Sequence, residues 1–298
     1  MRRVAGLLLA ALLLTGCGGA AAGDRPLVVV TTNILGDVVG ELVGDQAEVV
    51  TLMQPGADPH SFEVSAQEAA RMRAADLLVA NGLGLEEGVL THVDAAREDG
   101  VPVVEAGEFV EPVEWTTEDA SGVDPHFWTD PQQVLAVVDG VGGALADVDG
   151  LDADQLAADV ARYRAEVAEL DAELAAEFAQ IPAERRALVT NHHVFGHLAA
   201  RYGFTVVGAV IPSGTTLASP SASDLDELAT AVREAGVRTV FADSSQPDRL
   251  AQVMAEQAGL DVAVVPLFTE SLTADGGGAD TYLEMMRANT ADIVDGLR

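Results

Sequence analysis

Six histidines stand in the chain, at His60, His92, His126, His192, His193 and His197. Two of them close the same tripeptide, Asp58-Pro59-His60 and Asp124-Pro125-His126. A third, His192, follows the apolar run Ala187–Thr190, and an acid, Glu270, follows the run that ends at Phe268. Imidazole nitrogen and carboxylate oxygen are ligands for zinc, and also for manganese or iron. Four protein ligands, His60, His126, His192 and Glu270, would fill a tetrahedral shell. A filled shell holds an ion, whereas activating a water needs an open position. The proline before His60 and His126 restricts each loop, and Asp58 and Asp124 are placed to orient the rings as outer acceptors. Asp243, at the end of another strand, is a further carboxylate for the surroundings of the ion. Turn chemistry alone also accounts for two Asp-Pro-His segments, because Asp and Pro favour turns. No compact His-Glu-x-x-His motif is present, so spacing leaves both readings open.

These residues need a scaffold that brings distant loops together. Short β-rich apolar runs at Leu27–Thr32, Ala47–Met53, Asp76–Asn81 and Val101–Glu105 alternate with helical stretches such as Ile34–Val43 and Ser65–Ala75. Ser65 and Glu68 have capping-box spacing. Strand runs without strict alternation imply sheets covered on both faces, and the strand–helix alternation implies parallel βαβ units. The second half repeats the scheme. Its strands are expected at Ala187–Thr190, Thr205–Val210, Thr239–Ala242 and Val262–Phe268, and its helices at Val194–Tyr202, Ala222–Ala235, Pro247–Ala258 and Thr281–Gly296. In such sheets ligands bind beyond the carboxyl ends of the strands, where all four candidate ligands fall.

Between the halves, Asp152–Gln180 contains neither Gly nor Pro, and Pro182 ends it. Leu156, Val160, Tyr163, Val167, Leu170, Leu174 and Phe178 recur at steps of three and four, one apolar stripe on a helix roughly 40 Å long. The expected fold is therefore α/β, with two lobes, each a mostly parallel sheet flanked by helices, joined by one long backbone helix. The expected limits are 27–150 for the N-terminal lobe, 151–181 for the linking helix and 182–298 for the C-terminal lobe.

With 298 residues, 49% of them hydrophobic, the chain can bury one large core or two medium ones. Its net charge of −32, with Arg as the sole strong base, excludes a nucleic-acid partner. The same field raises the local concentration of cations. Arg2 and Arg3 precede a short Leu/Ala run, Leu7–Leu14, and then Leu14-Thr15-Gly16-Cys17. That run is too short to span a bilayer and reads as a signal peptide over residues 1–16. The small residues before the sole cysteine resemble a bacterial lipobox, in which Cys17 becomes the lipidated N-terminus, with residues 17–26 as a tether. One cysteine allows no intramolecular disulfide.

Four segments carry a wider resemblance: Gln54–Ser65, Asp124–Pro131, Val189–Gly196 and Pro266–Leu272, the last followed by Asp280–Met286. In that order they resemble the zinc- and manganese-binding class of ABC-transporter solute-binding lipoproteins, from about Leu27 to the C-terminus. The resemblance implies two α/β lobes on a backbone helix with the metal buried between them. His60 and His126 would be ligands from the first lobe, and His192 and Glu270 from the second. Family members often carry Asp where Glu270 stands, and the extra methylene allows a different binding mode. The family commonly lacks the histidines at His193 and His197, which are read as a competing i, i+4 pair or as half-exposed rings at a helix start. His92 is read as a plain helical residue. Where zinc-binding relatives often carry a His-rich loop, Glu111–Val123 is acidic and is read as a solvated loop.

The expected protein is a monomeric, lipid-anchored receptor on the outer face of the cell membrane, partnered by an ABC permease. Its cargo is Zn2+, with Mn2+ or iron as the alternative. Three imidazoles and one carboxylate suit four-coordinate zinc, and a bidentate Glu270 would favour manganese. The rival from another class is a secreted metal-dependent hydrolase, which would require an open metal position and a general base.

Overall fold

A computed structural model describes residues 25–116, 121–245, 249–257 and 262–298. The first sheet is built by β1 (Leu27–Val30), α1 (Asn33–Val43), β2 (Glu48–Thr51), α2 (Ala66–Arg73), β3 (Leu77–Ala80), α3 (Leu90–Glu98) and β4 (Val103–Glu105). Its order is β2-β1-β3-β4, and every pairing is parallel. A short antiparallel hairpin, β5 (Glu114–Thr116) and β6 (Ser121–Val123), leads into α4 (Pro131–Leu145) and α5 (Ala153–Phe178). The second sheet follows with β7 (Ala187–Thr190), α6 (Gly196–Tyr202), β8 (Thr205–Ala209), α7 (Ala222–Ala235), β9 (Thr239–Asp243), α8 (Arg249–Gln257), β10 (Ala263–Leu267) and α9 (Tyr282–Leu297). Its order is β10-β9-β7-β8, again all parallel. Both sheets thus place the first strand inside, the second on one flank and the remaining two on the other, as expected for paired α/β lobes.

Local chemistry sets the helix ends. The Ser65 hydroxyl accepts from Glu68 N at 3.3 Å while the Glu68 carboxylate accepts from Ser65 N at 2.7 Å, a closed capping box. Asp152 caps α5 by accepting from Gln155 N at 2.9 Å. The predicted stripe of α5 faces inward, with Leu156, Tyr163, Val167, Leu170, Leu174 and Phe178 buried. Asp171 lies on the same face. Its carboxylate accepts from Arg201 Nε at 3.0 Å, Tyr202 Oη at 2.9 Å and Gln132 Nε2 at 2.7 Å. One buried acid therefore pins α5 to α4 and α6.

Two features depart from expectation. The α4 helix did not stand out in the sequence, whereas α3 covers the helical stretch read around His92. In α4 the signal is diluted by Gly140, Gly142 and Gly143, each costing roughly 1 kcal/mol against Ala in a helix. Packing overrides that cost at Gly140, where a Cβ would sit 2.4 Å from the Phe109 ring. The Glu111–Val123 segment is not only a solvated loop, because its two ends pair as β5 and β6. Glu118 and Asp119 lie outside the described residues, as do the expected signal peptide, Cys17, most of the expected tether, and Pro247 and Ala258 at the ends of the helix expected there.

Each lobe keeps a smaller apolar cluster of its own, around Leu78 and around Val240, but the largest cluster does not divide between the lobes. One contiguous cluster runs from Val28 and Leu35 through Trp128, Val138, Leu170 and Phe178 to Leu198, Phe241, Tyr282 and Leu297. The α9 helix packs on α5 and α1, and Tyr282 N donates to the Asp37 carboxylate of α1 at 2.8 Å.

Candidate metal centre

The long loop after β2 carries His60, the turn before α4 carries His126, the turn after β7 carries His192, and the loop after β10 carries Glu270. All four meet between the two sheets and are at most 1% exposed. The Nε2 atoms of His60, His126 and His192 each lie 3.0 Å from Glu270 Oε1. His126 Nε2 is 3.2 Å from His60 Nε2 and 3.4 Å from His192 Nε2. For bonds of about 2.0–2.1 Å, the edge of a tetrahedron around zinc is about 3.3 Å. Four of the five measured edges are slightly shorter than that value and one slightly longer, so the four atoms outline a compact cage for one ion.

Its electrostatics point the same way. Burial disfavours an ionised Glu270, but the three imidazoles outweigh it and hold the carboxyl well below the usual range. Glu270 Oε2 is buried and has no hydrogen-bond partner among the described residues. A buried carboxylate oxygen without a donor is costly unless a cation neutralises it. The donor set and this orphaned oxygen both fit a divalent metal ion.

The two Asp-Pro-His carboxylates act differently. Asp124 Oδ1 accepts from His126 Nδ1 at 2.6 Å and from His126 N at 3.0 Å. That bond points Nε2 at the cage. Burial works against a charged His126 ring, but Asp124 and then Glu270 reverse this and raise its pKa to about 9. Asp124 itself is pushed up by burial and pulled further down by His126, ending below the usual carboxylate range. Asp58 does not repeat the ring contact. Its Oδ1 accepts from the His60 backbone N at 2.9 Å, and His60 Nδ1 has no hydrogen-bond partner among the described residues. Asp58 therefore fixes the loop and not the imidazole.

Asp243 is buried behind Glu270, accepts from the Thr269 hydroxyl, and is pushed up to about 7, first by burial and then by the charge of Glu270. It lies outside the four-residue cluster. His197 was expected to be half exposed but is buried, with its Nε2 donating to Asp124 O at 3.1 Å. His193 stacks on Trp115 with ring centres 5.5 Å apart and planes 11° from parallel. This pair is not a second cage, because one ring is used in packing and the other supports the Asp124 turn. His92 lies on α3, outside the cluster.

Several supporting residues gave no signal in the sequence. Trp128 packs its ring 5.3 Å from that of His126 and donates Nε1–H to Thr269 O at 2.8 Å. Asn81 Nδ2 donates to Pro125 O at 3.1 Å, and its own backbone N is held by buried Glu86 at 2.6 Å. An asparagine or a tryptophan in a loop is common, and only the fold places these beside His126.

The profile of the family described as zinc-uptake complex component A, periplasmic, matches residues 28–296. The chain belongs to this family. Among similar proteins, the manganese-binding lipoprotein MntA of Halalkalibacterium halodurans is 27% identical over 296 residues, covering 98% of this chain and 96% of that protein. The zinc-binding protein TroA of Treponema pallidum is 28% identical over 283 residues, covering 94% of this chain and 91% of TroA. Its solved structure superposes with a TM-score of 0.84 at 29% identity, covering 92% of this chain and 99% of TroA. The iron-binding protein YfeA of Yersinia pestis is 27% identical over 270 residues, covering 90% of this chain and 85% of YfeA. Within the zinc-uptake family, similar relatives therefore carry names for three different metals, and the family match alone does not choose among them.

Proposed function

We propose that this protein is an extracytoplasmic receptor that captures a divalent transition-metal ion, zinc first, and passes it to an ABC importer. His60, His126, His192 and Glu270 are the ligands. The observation that carries the reading is the buried cage of three Nε2 atoms around one carboxylate oxygen. Its function is capture without conversion. A hydrolase would keep an open coordination position, whereas here four protein atoms converge on one point. Asp124 orients His126, and Asp243 supports the Glu270 loop through Thr269.

Manganese is the second reading, favoured by the unpartnered Oε2 of Glu270. If both carboxylate oxygens bind, the shell gains a fifth ligand, which suits manganese better than zinc. The partner is a permease, and the protein acts as a monomer. Among the described residues no helix is long and apolar enough to cross a membrane. Attachment is assigned to a lipid on Cys17, which a Cys17→Ala chain tests by appearing in the medium instead of the membrane fraction.

The deciding experiment is metal analysis of protein purified without added metal, followed by competition among zinc, manganese and iron. One zinc per chain, lost in His60→Ala, His192→Ala and Glu270→Ala, is the expected result. Preference for manganese selects the second reading, and full metal retention in all three variants rejects the cage.

A further inference from the structure

The four ligands are not held equally. Around Glu270 the C-terminal lobe is stitched to the N-terminal lobe. Asn33 Nδ2 donates to Ser271 Oγ at 2.7 Å, and Leu272 N donates to Asn33 Oδ1 at 3.0 Å. Gly56 N donates to Leu272 O at 3.0 Å, and Trp128 Nε1 donates to Thr269 O at 2.8 Å. Leu272 itself belongs to the shared core. The Glu270 loop is therefore tied to the lobe of His60 and His126, although the chain assigns it to the other sheet.

His192 is placed differently. Its turn is knitted to residues 211–217, since Ile211 N donates to Asn191 O at 2.7 Å and His193 N donates to Ser213 O at 2.9 Å. Val194 and Phe195 behind this flap belong to the shared core, and its polar bonds to the N-terminal lobe include one to each Asp-Pro-His carboxylate. Thr216 Oγ1 donates to Asp58 Oδ2 at 2.7 Å, and Gly196 N donates to Asp124 Oδ2 at 3.0 Å. Trp115 adds packing, with its ring against Gly214 and His193. Each aspartate thus has one oxygen on the backbone amide of a ligand histidine and the other on the flap.

We propose that the bound metal leaves on the His192 side, by withdrawal of this flap, and that Thr216 and Gly196 are positioning residues that set how long the ion is retained. The inference rests on the metal-receptor reading. When the flap lifts, His60, His126 and Glu270 stay together as a three-ligand half-site and His192 departs with residues 211–217.

The test uses the full mature chain loaded with zinc and mixed with an excess of a chromophoric chelator. Thr216→Val removes the hydroxyl at nearly constant shape, and losing a hydrogen bond to a charged acceptor predicts release roughly tenfold faster. Thr216→Ser is expected to restore slow release. The cobalt-substituted proteins should share one visible absorption spectrum, because no ligand is altered. Gly196→Ala, whose Cβ would lie 2.4 Å from Asp124 Oδ2, should also speed release. Ser271→Ala, on the stitched side, should change release less than Thr216→Val. Wild-type release from Thr216→Val, failed rescue by Thr216→Ser, or an equal effect of Ser271→Ala would overturn the proposal. Failure of the receptor reading is distinct, because the wild-type chain would then hold no stoichiometric zinc at the start.

Discussion

At the scale of single residues, the proposed centre sets a proton and a metal in competition for His126. Asp124 and Glu270 raise this imidazole from 6.5 to about 9. The raised value stabilises the metal-free fold fully below the ordinary pKa, and that stability is lost as pH rises through about 9. Metal binding has the opposite sign, since the ion must displace the proton. Affinity should therefore climb from mildly acidic pH and level off near pH 9. At neutral pH, titration calorimetry in buffers of different ionisation enthalpy should detect about one proton released per ion bound. Asp124→Asn removes the charge that orients the ring, and about a 10- to 100-fold loss of affinity is expected in a competition titration. The clustered histidines were legible because histidine is scarce in this chain and two of the six sit in one repeated tripeptide. The partners of Asp58 and Asp124 were not. Thr216 lies in a Ser/Thr/Gly loop like many others, and a backbone amide such as that of Gly196 leaves no mark on residue type.

At the scale of elements, periodicity announced α5 and capping chemistry announced α2. A glycine-rich α4 and a three-residue-per-strand hairpin were hidden because tertiary contacts decide them. The stripe of α5 gives the clearest stability test. Leu170 is fully buried in the shared core, so Leu170→Ala should cost about 2–5 kcal/mol in denaturant unfolding of the metal-free protein. Asp171 tests a different link. Its carboxyl is held below the ordinary 3.8, against burial, by Arg201, Gln132 and Tyr202. The stability it contributes is present above that ordinary value and is lost as pH falls through the lowered one. Arg201 is partly exposed, so screening limits the effect, and Asp171→Ala should cost roughly 2 kcal/mol at neutral pH. That difference should shrink in acid.

At the scale of the molecule, the continuous core matters more than the division into lobes. Because one apolar cluster crosses both sheets, calorimetry of the metal-free protein should give one cooperative transition with equal calorimetric and van't Hoff enthalpies. Adding zinc should raise its midpoint with concentration, as expected for a ligand that binds only the folded state. Two separate transitions would show that the lobes melt independently. The two-lobe plan could be read from alternating strands and helices, but the merger of their cores could not. Apolar periodicity marks which face of an element is buried and says nothing about which lobe buries it.

The order of the chain gives this merger a consequence for biogenesis. Glu270 and the helix that packs on α1 and α5 come after the other three candidate ligands along the chain. A chain threaded outward unfolded has no assembled cage while its C-terminal segment remains inside. A chain exported in that way would leave the cytoplasm empty-handed and acquire its first ion from the compartment it serves.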